Sequence, residues 1–276
     1  MKLKFICEND NIRLTEELKL HVSRKLYKNI KSSKAIFYVN GKKLEGYKFI
    51  NKGDIIELEI NKEYNDNWPL YKSKIDIRYE DDNYIVVNKP HGLLSIPTMA
   101  EPKSIYQEVL YYLKSTNQPL TVSILNRLDK DTKGLMVIAK NRLAAYYLSP
   151  THEKMERRYQ ALLHGILDDK NGRIQTKIEK EENSNKRFIS NSGKIAISNY
   201  MVLKEYNDKS LVLFKLDTGR THQIRLHSKH LGHPICGDIM YGFKDSYSNL
   251  CLCSCYVKFF NQFLGREIEV ELESGW

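Results

Sequence analysis

The sequence predicts an α+β fold: a large mixed, mainly antiparallel sheet with flanking helices, preceded by a small α/β module. Three observations carry this. Short stretches with apolar residues at every second position recur from residue 73 onward, "SLVLFKLDTG" and "EIEVELE" among them. Only a few short segments between them show helical spacing, so strand mostly follows strand. Ahead of them, residues 1–62 combine one helical pattern with a hairpin and end at a polar stretch. The 276 residues, 41% hydrophobic, suffice for one large domain plus a small one.

Within 1–62, Leu18, Leu20, Leu26 and Ile30 recur at helical spacing. "AIFYVNGKKLEG" then alternates around an Asn-Gly turn, and "DIIELEI" adds a strand. Residues 63–72 are polar with one proline and read as a linker. The remaining domain is 73–276. It opens with two short strands in "KIDIRYEDDNYIVVNKPHGLL" and a Pro-His-Gly turn. Ile105, Val109, Leu110 and Leu113 mark a helix over 103–115. "GLMVIAK" is a buried strand, and 141–149 a short helix. "RRYQALLHG", "GRIQTKI", "KRFISN", "KIAISNYMVLKEY" and "SLVLFKLDTG" are successive strands. "RTHQIRLHSKHLG" reads as a helix ending at Gly232, and "CLCSCYVKFF" and "EIEVELE" close the sheet.

Lys plus Arg is 44 and Asp plus Glu 34, a net charge of +10, which favours a polyanionic partner. The distribution is uneven. Between Leu18 and Leu44 lie Lys19, Arg24, Lys25, Lys28, Lys31, Lys34, Lys42 and Lys43 with no acid, so these are the expected nucleic-acid contacts. No window approaches eighteen consecutive apolar residues, and the N-terminal residues lack the pattern of a signal peptide, so no membrane association is expected. Five cysteines without a framework point to reduced thiols in a cytoplasm. There is no phosphate-cradling P-loop and no G-x-G-x-x-G, hence no nucleotide cofactor, and a monomer is expected.

Two clusters could carry chemistry. In "NRLDKD" an extended chain would point Arg127, Asp129 and Asp131 to one face, with Arg127 able to keep Asp129 ionised as a nucleophile or base. By itself this stretch fits a structural ion pair at a strand end better. In "TGRTHQIRLH" Arg220 and Arg225 sit on the first turns of a helix, an arrangement suited to a phosphate or to a carboxylate from elsewhere. His222, His227, His230 and His233 crowd together but lack a metal-ligand spacing, so no metal is expected. Cys251, Cys253 and Cys255 alternate along a strand and read as small core residues. Tyr159, beside Arg157 and Arg158, is an aromatic that could stack on a base.

Taken together these segments resemble the RluA-type pseudouridine synthases, RNA-modifying isomerases. The resemblance rests on "DNYIVVNKPHGLLSIP", "RLDKDTKGLMVIAK", Tyr159, "GRTHQIRLH" and "LGHPICGDIMYG", collinear from residue 73 to the C-terminal part. It implies that Asp129 is the catalytic aspartate, that Tyr159 is the active-site tyrosine, and that Arg225 pairs with the aspartate, with Arg127 as further support. It also implies that residues 1–62 resemble the small RNA-binding domain of ribosomal-protein type. The chain departs from the family pattern at Asn126, where His is usual, at Lys133 within Thr132-Lys133-Gly134, at Arg157, and at Leu252-Cys253-Ser254. The resemblance implies an enzyme that isomerises uridine to pseudouridine in structured RNA, large-subunit ribosomal RNA before tRNA, without a cofactor. An RNA N-glycosidase would use the same carboxylate but release free base. A non-catalytic RNA-binding ribosome-assembly protein would use the basic module and need no Asp129.

Overall fold

The computed structural model describes residues 2–22, 27, 30, 36–44, 49–59, 69–148 and 155–276. The N-terminal part builds a four-stranded antiparallel sheet from β1 (Lys2–Ile6), β3 (Ile36–Val39), β4 (Lys42–Lys43) and β6 (Ile55–Glu59), in the order β1-β6-β3-β4. A second pair joins β2 (Ile12–Arg13) to β5 (Phe49–Ile50). The hairpin turn falls on Asn40 and Gly41, whose φ values of 50° and 78° are the left-handed geometry that Asn-Gly adopts at little cost. Helix α1 (Leu14–His21) is short, so its buried stripe is Leu14, Glu17, Leu18 and His21. Leu20 was expected on that stripe. It lies two residues from Leu18, on the far side of the helix, and is 55% exposed. Lys42 and Lys43 are exposed at the hairpin. Arg24, Lys25, Leu26, Lys28, Lys31 and Lys34 lie outside the described residues, as does most of the expected linker.

Phe5, Leu14, Leu18, Ile50, Ile56 and Leu58 form a core under this sheet, and Leu143 from the following domain is part of it. Polar contacts reinforce this core and its junction with the residues that follow. Glu17, fully buried, accepts from the Glu8 amide (2.7 Å) and Asn9 (2.9 Å), and its Oε1 lies 3.1 Å from His21 Nε2. Tyr146 donates its hydroxyl to Leu20 O (2.9 Å).

The remaining strands are β7 (Ile77–Glu80), β8 (Tyr84–Lys89), β9 (Ser123–Ile124), β10 (Lys133–Ala139), β11 (Glu156–His164), β12 (Asn171–Lys180), β13 (Arg187–Ile189), β14 (Lys194–Glu205), β15 (Lys209–Leu216), β16 (Leu252–Asn261) and β17 (Arg266–Glu271). They make one sheet in the order β13-β12-β14-β15-β11-β16-β10-β8-β7, with β17 on β16 and β9 on β10. β10 and β16 run parallel; the other pairs run antiparallel. The fold class matches the sequence expectation.

Alternation splits the buried strands between two cores. From β8 and β10, Ile85, Val87, Met136 and Ile138 face α2 (Ile105–Ser115), which contributes Ile105, Val109 and Leu113. Tyr84, Val86, Leu135 and Val137 face the other way, toward α3 (Arg142–Tyr147) and β17. The α3 N-cap is Asn141, which accepts from the Ala144 amide (2.8 Å). Helix α4 (Gln223–His230) lies against β12, β13 and β14, with Leu226 packed on Ile178 and Ala196. It ends as expected, before Gly232 at φ 84°. Cys253 and Cys255 share one cluster, but Cys251 precedes the strand and joins the opposite core. All five cysteines are buried and free. No helix among the described residues is long and apolar enough to cross a membrane.

Candidate active site

Asp129 does not lie on a strand. β9 ends at Ile124, the chain bends, and the Thr132 amide donates to Asp129 O (3.1 Å) to close a turn through Lys130 and Asp131. The extended geometry expected for "NRLDKD" is thus broken by a turn from Asp129 to Thr132, and no strand face carries Arg127 and Asp129 together. Arg127 is exposed and makes no ion pair with Asp129; Asp131 is also exposed. Asp129 is partly sheltered, its side chain 30% exposed.

The segment 89–95 holds this turn in place. Ser95 Oγ donates to Leu128 O (2.6 Å) and accepts from the Leu128 amide (3.0 Å). His91 Nδ1 lies 2.6 Å from Asp131 O. Lys89, fully buried at the end of β8, donates to Pro90 O (2.8 Å), Leu93 O (2.8 Å) and Lys130 O (2.9 Å). Burial pushes the Lys89 ammonium down to about 8, while Asp131 and Asp129 pull it back up. Three carbonyl acceptors call for three N–H donors, which only the charged ammonium has. Lys89 falls within "DNYIVVNKPHGLLSIP", where its neighbours along the chain give it no partner. A buried lysine at the end of an apolar strand was the available signal.

On the other side, Gly134 opens β10 at φ 114°, and a Cβ there would stand 2.3 Å from Ser254 O. Glycine alone lets the turn approach β16 this closely. Ser254 in turn pairs with Tyr159 across β11, immediately past a bulge between Arg158 and Tyr159. The bulge re-aims the side chain. Tyr159 is 6% exposed. Burial raises its pKa, Arg157 lowers it and Asp129 raises it again, so the phenol keeps its proton at neutral pH.

Arg225, on α4, is 5% exposed and gives a two-pronged bond to Asp238, Nε to Oδ2 at 2.8 Å and Nη2 to Oδ1 at 2.6 Å. The direct pairing of Arg225 with Asp129 implied by the resemblance is thus replaced by pairing with Asp238. Burial opposes the Arg225 charge, the Asp238 hydrogen bonds and charge support it, and the nearby Asp129 charge adds to that support. Asp238 was not singled out from sequence; thirteen residues separate it from Arg225. The amides of Met240 (3.1 Å) and Tyr241 (3.0 Å) also donate to it. Just ahead of α4, Gln223 Oε1 accepts from Thr218 Oγ1 and from the Arg220 amide (both 2.9 Å). Arg220 Nε donates to Ile195 O (2.9 Å).

His222 precedes α4 in the left-handed region, at φ 60°. Its Nε2 lies 3.9 Å from Asp129 Oδ2, and its Nδ1 2.7 Å from the Tyr241 hydroxyl. His227 is buried between Ser198 and Thr176 hydroxyls, each at 2.9 Å. A separate group, His164, Cys236 and Asp245, brings its ligand atoms within 4.8 Å of one another. There Asp245 already accepts from His164 Nε2 (2.7 Å) and from the amides of Gly237 (2.8 Å) and Tyr247 (2.9 Å), which closes the 237–247 loop.

The departures from the family pattern beside the site serve the backbone. Asn126 donates to Leu135 O (3.1 Å) and accepts from the Val137 amide (2.7 Å). Lys133 donates to Ser274 O (2.6 Å), its Nζ 4.1 Å from the Trp276 ring centroid.

Residues 83–230 match the family model described as RNA pseudouridylate synthase. An RNA pseudouridine synthase of Bacillus subtilis, YjbO, is 33% identical over 228 residues, covering 81% of each chain. The ribosomal large subunit pseudouridine synthase D of Pseudomonas aeruginosa is 33% identical over 208 residues, 74% of this chain and 65% of the relative. That of Borreliella burgdorferi is 34% identical over 220 residues, 75% and 68%. The fold is that of human RNA pseudouridylate synthase domain containing 1, with a TM-score of 0.62 at 24% identity over 74% of this chain and 85% of that one.

Proposed function

From the premise that this chain belongs to the RNA pseudouridylate synthase family, and so isomerises uridine to pseudouridine in RNA, we propose that Asp129 is its catalytic carboxylate and ribosomal RNA of the large subunit its target. The observation that carries the site is the geometry of one turn: Asp129 is the carboxylate that this turn leaves half-sheltered, with Tyr159, His222 and Arg225 around it. The target rests on the names of the Pseudomonas and Borreliella relatives. We assign the chain to the RluA type on its collinear motifs, and residues 1–62 to RNA binding on their charge. It works as a cytoplasmic monomer in this reading.

The isomerisation conserves every atom. The bond from C1′ to N1 breaks, the uracil turns, a bond from C1′ to C5 forms, and the proton lost at C5 is balanced by one gained at N1. No redox partner enters. Asp129 acts on the ribose as nucleophile or base. Reaching it takes the uridine out of its stack, at about a few kcal/mol, repaid by contacts in the pocket. Tyr159 retains the loose base by stacking and offers a phenol that stays protonated. Exposed Arg127 is free to meet the phosphate backbone beside Asp129.

Mapping pseudouridine in ribosomal and transfer RNA from a strain lacking the gene identifies the target. A missing site in large-subunit RNA is expected; loss only in tRNA overturns the target assignment. On that RNA, purified Asp129→Asn should form no pseudouridine while melting near wild type, and Asp131→Asn should stay close to wild-type turnover. A folded, active Asp129→Asn enzyme would sink the site assignment.

A further inference from the structure

His222 has an unusual set of contacts for a residue at a helix start. It adopts φ 60°, which side chains other than glycine and asparagine rarely take, and it does not cap the helix with its ring. The ring is turned instead between two groups. Nδ1 lies 2.7 Å from Tyr241 Oη, and Nε2 3.9 Å from Asp129 Oδ2. Tyr241 packs edge-on against it, with centroids 5.5 Å apart, and carries Arg225 over its own ring at 5.0 Å.

The hydrogen bonds decide the tautomer. Tyr241 Oη accepts from the Arg187 amide (2.8 Å) at the start of β13. Its own hydroxyl proton needs an acceptor, and among the described residues the one it reaches is His222 Nδ1. A neutral imidazole accepting at Nδ1 carries its proton on Nε2. Nε2 is the ring nitrogen on the Asp129 side, 3.9 Å from Oδ2, beyond hydrogen-bond length in this structure.

We propose that His222 is a positioning residue for Asp129, held by Tyr241 as the Nε2–H tautomer so that it donates to Oδ2 of the carboxylate and leaves Oδ1 turned to the ribose. The relay runs Arg187 N–H to Tyr241 Oη, Tyr241 O–H to His222 Nδ1, and His222 Nε2–H to Asp129. The inference rests on Asp129 being the catalytic carboxylate. Burial lowers the pKa of His222, Asp129 raises it, Arg225 and Arg187 lower it, and Asp238 raises it. The ring is therefore neutral at neutral pH, as the relay requires.

Two measurements test this. The first needs no substrate: side-chain ¹⁵N NMR of the purified protein at neutral pH, with the His222 signal identified by its loss in His222→Gln. The Nε2–H form is expected in wild type, with a shift toward a mixed population in Tyr241→Phe; an Nδ1–H form in wild type overturns the relay. The second separates hydrogen bonding from backbone need. Asparagine tolerates the left-handed backbone better than glutamine, but its amide reaches only the Nδ1 position, whereas the glutamine amide reaches that of Nε2. On the RNA found by the mapping above, His222→Asn should lower kcat about 10- to 100-fold with KM little changed, the worth of one hydrogen bond to a charged group. His222→Gln should recover most of that loss. If Asn equals or exceeds Gln, only the backbone mattered and the proposal falls. Should wild type modify no RNA, the functional reading fails, and the NMR result still judges the relay on its own.

Discussion

Asp129 and its neighbours divide the work at the level of single side chains. The carboxylate is left partly accessible, while the carbonyls of Leu128, Asp129, Lys130 and Asp131 accept from Ser95, the Thr132 amide, Lys89 and His91. Such a site does not have to reorganise when substrate arrives. Tyr159 sits differently: buried, protonated, and within the electrostatic reach of Asp129. Tyr159→Phe keeps the ring and its packing, so folding and RNA affinity should stay close to wild type. Loss of the hydroxyl should lower turnover by about 100-fold or more, the range for a lost proton-transfer group. Binding by filter retention and single-turnover assays check this; full turnover would leave the tyrosine with stacking alone.

Two elements bring the site together. β10 does so through Gly134, where a methyl group would collide with Ser254 backbone atoms at 2.3 and 2.6 Å. Relief requires β10 and β16 to separate, and the positive φ adds strain. Gly134→Ala should therefore destabilise by about 3 kcal/mol or more, seen as a lower urea midpoint, and should displace Asp129 from Tyr159. An unchanged midpoint would show that the strands can part freely. α4 holds its place through His227, which meets Ser198 and Thr176 hydroxyls as a neutral ring, and burial lowers its pKa to about 4. The unfolded chain takes up this proton near 6.5, before the folded one does. Stability from this group is thus complete above 6.5 and is lost as pH falls toward 4, by about 1.4 kcal/mol per unit at most. His227→Gln, which bonds but does not titrate, should melt with a shallower fall over that window; parallel melting curves for the two proteins would exclude the effect.

For the molecule as a whole, the basic N-terminal module and the catalytic domain share a buried surface. Leu143 lies in the module's core, and Tyr146, Tyr147 and Phe263 pack on it. Removing residues 1–62 should therefore do two things. It should weaken RNA binding and flatten its salt dependence, because Lys19, Lys42 and Lys43 and the other module cations go with it. It should also lower the melting temperature of the remainder, because an apolar patch around Leu143 becomes exposed. Affinity and salt slope equal to those of the whole chain would show that the module does not carry RNA.

Periodicity and turn chemistry were enough for the element types, the sheet-rich α+β class, the Asn40–Gly41 turn and the helix stop at Gly232, while Asp129, Tyr159 and Arg225 were singled out only by their resemblance to family motifs. Each of these is a local property: a repeat of two or 3.6 residues, a turn dipeptide, or a run of consecutive motif residues. The partners were not local. Lys89 meets Lys130 O across 41 residues, Arg225 meets Asp238 across 13, and His222 meets Tyr241 across 19. The sequence paired Arg127 with Asp129, but Arg127 is exposed and, among the described residues, the basic group nearest the Asp129 carboxylate is His222, 93 residues along the chain. A buried charge takes whichever opposite group the packed chain brings within about 3 Å, and that choice is made by the way the sheet folds over itself, not by the residues on either side.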